Sequence, residues 1–361
     1  MKKLLKTFLI CCMSLTLVAC GASNADKELE NVATDKSTIP LTEEDKVKEA
    51  ESAAAGNMNL LTGTFDLDKK AVGKRPVAIV INNISYALPQ YGISDADLIY
   101  EFPVEAGVTR LLAFYADYNK IPTVCSIRSS RYFFIPTAMG YDAFYVHWGY
   151  YYPDESYIKS LKFTEFEGLY NHGNLFGRDE DRLNSGYALE HTGIFYGKKM
   201  AKVLKKDDHR TDLNEEFKRS AFNFSKDEVK HEEANKSVKI KYSSTVTDLK
   251  YDEKSQTYFK YHDGNKHIDQ ANNQQLAFKN VFVLETKVKV FNNEGRNTVD
   301  WSGNDDSIGY YLTNGTIQKI HWRKESETAP LKFYDEAGKE IKVNPGKSFI
   351  AYTNKDTYTF K

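Results

Sequence analysis

Apolar and polar positions divide the chain into three stretches of different character. An apolar run over 8–18 follows Lys2 and Lys3 and is too short to cross a bilayer, which takes about 20 residues. Residues 21–73 are dominated by Ala, Asn, Asp, Glu, Lys, Ser and Thr, with no sustained apolar period and a single Phe. From Lys74 onward apolar runs recur. The run Arg75-Pro-Val-Ala-Ile-Val-Ile-Asn82 predicts a strand buried on both faces, and 98–102, 110–116 and 143–147 predict three more. Helical spacing points to 155–161 and 192–205. Beyond residue 224 the pattern turns to alternation, in Val238-Lys-Ile-Lys-Tyr242, 258–261, 281–290, 310–312, 316–322, 331–334 and 349–352. The turn pairs Asp263-Gly264, Asn314-Gly315, Ala337-Gly338 and Pro345-Gly346 fall between these segments. The pattern predicts an α+β (or α/β) domain over 74–222, then a mostly antiparallel β domain over 223–361.

The start of the chain sets the compartment. A basic head, a short apolar run and small residues before a cut describe a secretory signal over 1–19. The run ends Leu17-Val18-Ala19-Cys20-Gly21, which resembles the lipobox of bacterial lipoproteins. In that motif the Cys is acylated, here with palmitate as an expected modification, and becomes the first residue of the mature chain. Cys20 is therefore the expected lipidation site, and the protein is placed on the outer face of the cell membrane. Residues 20–73 then read as the lipid-bearing Cys and a flexible tether, about 40 Å in root-mean-square span.

Removing Lys2, Lys3 and Lys6 from 49 basic residues leaves 46 against 50 acidic ones, a formal charge of −4. No nucleic-acid partner is expected, because that needs a concentrated basic field. Of the 4 cysteines only Cys125 lies beyond the lipid site, so no disulfide forms within the mature fold. Its apolar neighbours predict a buried thiol.

Candidate chemistry crowds into the first domain. Glu101 and Glu105 lie four residues apart in Tyr100-Glu-Phe-Pro-Val-Glu-Ala-Gly-Val-Thr-Arg110. On one continuous strand they would share a face ~13 Å apart, at ~3.3 Å per residue. That exceeds the ~5–5.5 Å and ~6.5–9.5 Å separations of paired-carboxylate glycosidases. A single carboxylate of raised pKa stays open as a general acid. So does the plainer alternative, that Glu101 and Glu105 neutralise neighbouring arginines. Arg128-Ser129-Ser130-Arg131 places two guanidiniums beside two hydroxyls just after an apolar run, which suits a carboxylate or phosphate. A helix starting here would add its free N–H groups. His147 ends a strand before Trp148-Gly149, and His172, Arg178 and His191 follow in polar loops. No His-Glu-x-x-His or close ligand pair is present, so neither a metal nor a cofactor is expected.

These residues also carry a resemblance. The runs 75–83, 88–97 and 100–110, the Arg128-Ser129-x-Arg131 segment, the His147 strand and 333–348 resemble the YerB-like lipoproteins of Gram-positive bacteria. The resemblance covers about 74–355 and implies a two-domain exported lipoprotein, with no particular activity. The chain departs from the pattern at Ala106, where a glycine is expected, and at Ser130, which replaces a small residue.

Two function classes follow. In the first, the protein cleaves peptidoglycan glycan, as a lytic transglycosylase or glycosidase. Glu101 or Glu105 is then the acid, Arg110, Arg128 and Arg131 hold carboxylates, and Asn83, Ser129, His147 and Arg178 position sugar. In the second, a non-catalytic lipoprotein holds wall polymer or a membrane partner through the same cleft. A bridged, buried Glu–Arg cluster favours the second, and an unpaired Glu on the floor of an open groove favours the first.

Overall fold

The computed structural model describes residues 56–361, apart from Asn171, Asn292 and Glu294. The expected signal peptide, Cys20 and the tether up to residue 55 lie outside the described residues. In the first half the strands are β1 (Val77–Asn82), β2 (Leu98–Pro103), β3 (Thr109–Tyr115), β4 (Thr123–Cys125), β5 (Phe144–His147), β6 (Glu165–Glu167), β7 (Phe176–Arg178) and β8 (Gly193–Tyr196).

One sheet of 11 strands runs through both halves. Its order is Lys332–Tyr334, Thr316–Arg323, Gly303–Thr313, Asn280–Glu285, Ser348–Thr353, then β2, β3, β1, β5 and β6, with Glu233–Ala234 added alongside Thr316–Arg323. The join is parallel pairing of Ser348–Thr353 with β2, in register Leu98↔Ser348 to Glu101↔Ala351. The sequence boundary at 222/223 is thus crossed by continuous backbone hydrogen bonding.

The sheet is covered on both sides, so β1, β2 and β3 are buried at every position and are mostly apolar, with Glu101 and Arg110 the charged exceptions. Val77, Ile79 and Ile81 face one layer and Ala78 and Val80 the other. On the first side lie Val238, Ile240, Leu249 and Tyr258 of a second, antiparallel sheet, with Met200, Val203 and Leu204 of the helix Met200–Lys206. On the other lie Phe133, Phe134, Ile135 and Ala138 around the helix Phe134–Met139, with Leu61 and Phe222.

Three expectations are corrected. The first half is not clearly α+β, since the molecule is 39% strand and only 12% helix. The helix expected over 192–205 begins only at Met200, because Gly193-Ile-Phe-Tyr196 instead pairs with β4 and β7. Residues 56–73, expected as tether, pack on the body. Leu61 is buried, Asn59 Nδ2 donates to Asp97 Oδ1 (2.8 Å), and Gly63 lies so close to Phe224 that a Cβ would sit 2.3 Å from the ring. Their polar composition hides a few anchoring contacts.

The turn between β2 and β3 accounts for the departure at residue 106. The Val108 N–H donates to Glu105 O (2.8 Å), with Ala106 at φ 46° and Gly107 at φ 75°. Gly107 cannot carry a side chain, since a Cβ would lie 2.5 Å from Ser243 Cβ. Ala106 holds a left-handed conformation that costs an L-residue about 1–2 kcal/mol, part of which glycine's freedom in the unfolded chain offsets. Ala106→Gly is expected to stabilise by about 0.5 kcal/mol, read as a small rise in thermal midpoint; a fall would show that the Cβ is needed there.

Candidate functional site

Strands β1, β5 and β6 are parallel neighbours, and β3 starts where β1 ends. Asn82, His147, Glu167 and Arg110 therefore come to one edge of the sheet. The segment 126–131 is laced into that edge. The Arg128 N–H donates to Val80 O (3.0 Å), the Trp148 N–H to Arg128 O (3.0 Å), and the Ser130 N–H to Gly149 O (2.9 Å). Arg128 is thus tied to β1 and to the segment after β5, and the helix whose free N–H groups would have added to its anion preference begins only at Phe134.

Glu105 sits in the β2–β3 turn and not on a strand with Glu101. Its Oε1 accepts from Arg110 Nη2 (2.6 Å) and Arg131 Nη2 (2.8 Å), and its Oε2 from Arg131 Nε (3.2 Å). Burial alone would raise its pKa, but the charges of Arg110, Arg131 and Arg296 outweigh it and hold the carboxyl below its usual value. Arg110 also donates to Ser129 O (2.6 Å). Burial, reinforced by Arg131, pushes its guanidinium well below the usual arginine range.

The outer part of the cluster is more open. Arg128 is 20% exposed, with Nη1 3.7 Å from the Glu190 carboxylate and a buried Nε that has no hydrogen-bond partner. The Arg178 guanidinium carbon lies over the Trp148 ring, 3.9 Å from its centroid, and the side chain donates to Leu189 O (2.8 Å). Burial and the Arg128 charge both lower its pKa. Arg110, Arg128, Ser129, Arg131 and Arg178 are therefore gathered around Glu105 and Trp148.

Other predicted site residues lie apart from this opening. His147 is fully buried, with Nε2 3.0 Å from Glu165 Oε2 and Nδ1 3.0 Å from Gly149 O, so both ring nitrogens are engaged. His191 Nδ1 pairs with Asn82 Nδ2 (3.0 Å), and His172 Nε2 accepts the Glu167 N–H (3.2 Å). Among the described residues no group of three or more His, Cys, Asp or Glu is arranged to hold a metal. Cys125 is buried, and burial pushes its thiol up to about 11. Glu165 and Glu167 were not among the sequence candidates; the alternation Glu-Phe-Glu on β6 was their only signal.

Glu101 and Asn83 belong to a different construction on the side facing the second sheet. Glu101 Oε1 accepts from Asn83 Nδ2 (3.0 Å), Thr109 Oγ1 (2.8 Å) and Thr247 Oγ1 (2.9 Å). Lys260 Nζ, which can only donate, bonds Thr247 Oγ1 (3.3 Å) and His267 Nδ1 (3.1 Å). That assigns the His267 proton to Nε2, which donates to Gln90 Oε1 (2.6 Å). Gln90 Nε2 in turn reaches Asn83 Oδ1 (3.4 Å) and closes the ring. Three members come from each half, and Glu101, Asn83, Gln90, Thr247 and Lys260 are all 0% exposed. Burial lowers the Lys260 pKa, and the Glu101 charge opposes that shift. Glu101 Oε2 is buried without a hydrogen-bond partner.

Comparison with known proteins fits this architecture. The family model described as "Protein of unknown function (DUF3048) N-terminal domain" matches residues 61–211, and the corresponding C-terminal domain model matches 238–350. YerB of Bacillus subtilis (strain 168) is 28% identical over 296 residues, covering 80% of this chain and 84% of that protein. The chain belongs to the YerB-like family of two-domain proteins. A crystal structure of YerB protein from Bacillus subtilis superposes with a TM-score of 0.72 at 23% identity, over 83% of this chain and 98% of that one, so the YerB-like fold is shared. The YerB-like N-terminal model begins at residue 61, within the segment that packs on the body. The C-terminal model ends at residue 350, inside the strand Ser348–Thr353 that docks on β2.

Proposed function

We propose that this chain is a lipoprotein held at the outer face of the cell membrane through Cys20, and that it binds anionic cell-wall polymer at the arginine-lined edge without cleaving it. The lipobox-like end of the first segment supports the anchor, and the Bacillus relative is named as a candidate lipoprotein. Among the described residues no helix is long and apolar enough to cross a membrane.

The observation that carries the binding reading is the pair Arg128 and Arg178 at Trp148. One guanidinium has an unpartnered buried Nε, and the other lies over the Trp148 ring and feels the charge of the first, so two cations and a flat apolar ring are brought together. Such a pair suits a carboxylate or phosphate on a sugar chain. Catalysis is disfavoured by the two carboxylates themselves. Glu105 is held as an anion by two guanidiniums, the opposite of what a proton donor needs, and Glu101 is sealed beneath the second sheet.

The test uses the unlipidated mature chain (residues 21–361) with purified wall sacculi. Co-sedimentation is expected, weakened at least tenfold by Arg128→Glu with Arg178→Glu, and mass spectrometry of the supernatant is expected to show no released fragments. Fragment release that is lost in a folded Glu105→Gln or Glu101→Gln variant would restore the enzyme reading. Unchanged binding by the double Arg variant would remove the arginine pair from the site.

A further inference from the structure

Arg178 faces two ways. On one side it lies over Trp148; it also lines a groove of about 620 Å³ together with Tyr91, Asp179, Tyr187 and Gln270. That volume lies within the ~300–1,000 Å³ range of small-molecule sites. The groove is a junction, since Gln270 belongs to a turn of the second half whose N–H donates to Gln90 O (2.9 Å).

Its walls are held firmly. Arg182, 6% exposed, lies against the rings of Tyr91 (5.5 Å) and Tyr187 (5.1 Å) and donates to Ala87 O (3.0 Å) and His191 O (3.1 Å). The Tyr91 hydroxyl donates to Asp179 Oδ2 (2.8 Å), and the Tyr187 hydroxyl to Leu88 O (3.2 Å). With Arg182 engaged by Asp179 and backbone carbonyls, the remaining charged residues lining the groove are Arg178 and the exposed Glu180 and Asp181. A uniformly anionic strand would meet those carboxylates along its length. A neutral ring with one anionic substituent would not. The tyrosine rings, each with Arg182 over one face, beside a carboxamide and a carboxylate suit a ring with an apolar face and hydroxyls at its edge.

Building on the anion-binding reading above, we propose that the groove is a sugar subsite, and that the ligand is a glycan of at least two residues. Its neutral sugar lies between Tyr91, Tyr187 and Gln270, and its single carboxylate lies on Arg178 and Arg128. The site thereby selects an acid-bearing glycan over a polyol phosphate chain, and it fixes the direction in which the glycan lies across the protein.

Calorimetric titration of residues 21–361 tests this with four probes: the disaccharide N-acetylglucosaminyl-N-acetylmuramic acid, neutral chitobiose, inorganic phosphate and a glycerol phosphate oligomer. The acidic disaccharide is expected to bind at least tenfold more tightly than any of the other three. Gln270→Ala, on an exposed turn, and Tyr187→Ala are each expected to weaken the disaccharide at least fivefold while leaving phosphate binding unchanged. Arg178→Ala is expected to erase the preference for the disaccharide over chitobiose. Disaccharide affinity unchanged by both groove variants overturns the subsite, and if the Arg variants still abolish phosphate binding, the anion site survives it. Tighter binding of the glycerol phosphate oligomer than of the disaccharide also overturns the subsite. Failure of all four probes to bind overturns both readings.

Discussion

Glu105→Gln is expected to lower the stability of the fold by about 3 kcal/mol, a loss visible in thermal or urea denaturation before any assay of function. The carboxylate is the shared partner of Arg110 and Arg131, whose side chains are only 4% and 6% exposed. Removing its charge leaves two buried guanidiniums facing each other; breaking a fully buried pair typically costs about 3–5 kcal/mol, and the Glu105 carboxylate, 23% exposed, belongs at the low end. Glutamine keeps one acceptor, so Glu105→Ala is expected to cost more. Adding Arg131→Met to Glu105→Gln is expected to recover part of the loss, because it removes one of the stranded cations. A denaturation midpoint unchanged by Glu105→Gln would mean that the bridge contributes nothing. Any loss of function in such a variant is informative only at a temperature where the folded fraction has been measured.

The second large effect concerns the six-residue ring between the halves. Glu101→Gln is expected to cost about 3 kcal/mol, since Lys260 then loses the carboxylate that favours its charged form while remaining fully buried. Lys260→Met placed on top of Glu101→Gln is expected to return at least about 1 kcal/mol, because it removes the uncompensated ammonium. Purely additive losses in that double-mutant cycle would show that the two groups are not coupled. Because the members come from both halves, unfolding is expected to stay a single transition in every variant; separate transitions would show that the halves are held together some other way.

The strands were legible because burial writes itself into local pattern. The run from Val77 to Asn82, and the alternation of Val238, Ile240 and Tyr242, each report the faces they meet. The turn Asn314-Gly315, at φ 50° and 69°, announces the hairpin it closes. Local pattern failed where a distant partner decided the outcome. Gly193–Tyr196 is a strand because β4 and β7 flank it, although the stretch that follows is helical. Residues 56–73 are fixed by Asp97 and Phe224, far along the chain. The arginines of the site were legible as residue types just past a strand. That Glu105 would be tied between two of them was one of two open readings, and only the turn geometry separates them. The ring was not legible at all, since Thr247 and His267 stand 146 and 177 positions from their partners.

The pairing of Leu98 with Ser348 spans 250 positions, and it has a consequence in time. A chain made from its N-terminus exposes β2 long before Ser348–Thr353 exists to cover it. The strand that completes the middle of the large sheet is synthesised 250 positions after the one it pairs with. Such long-range closure is slow and leaves an open, apolar edge while it waits. A truncation that removes Ser348–Thr353 therefore takes out a central member of the sheet. The folding of the first half is hostage to the arrival of the last.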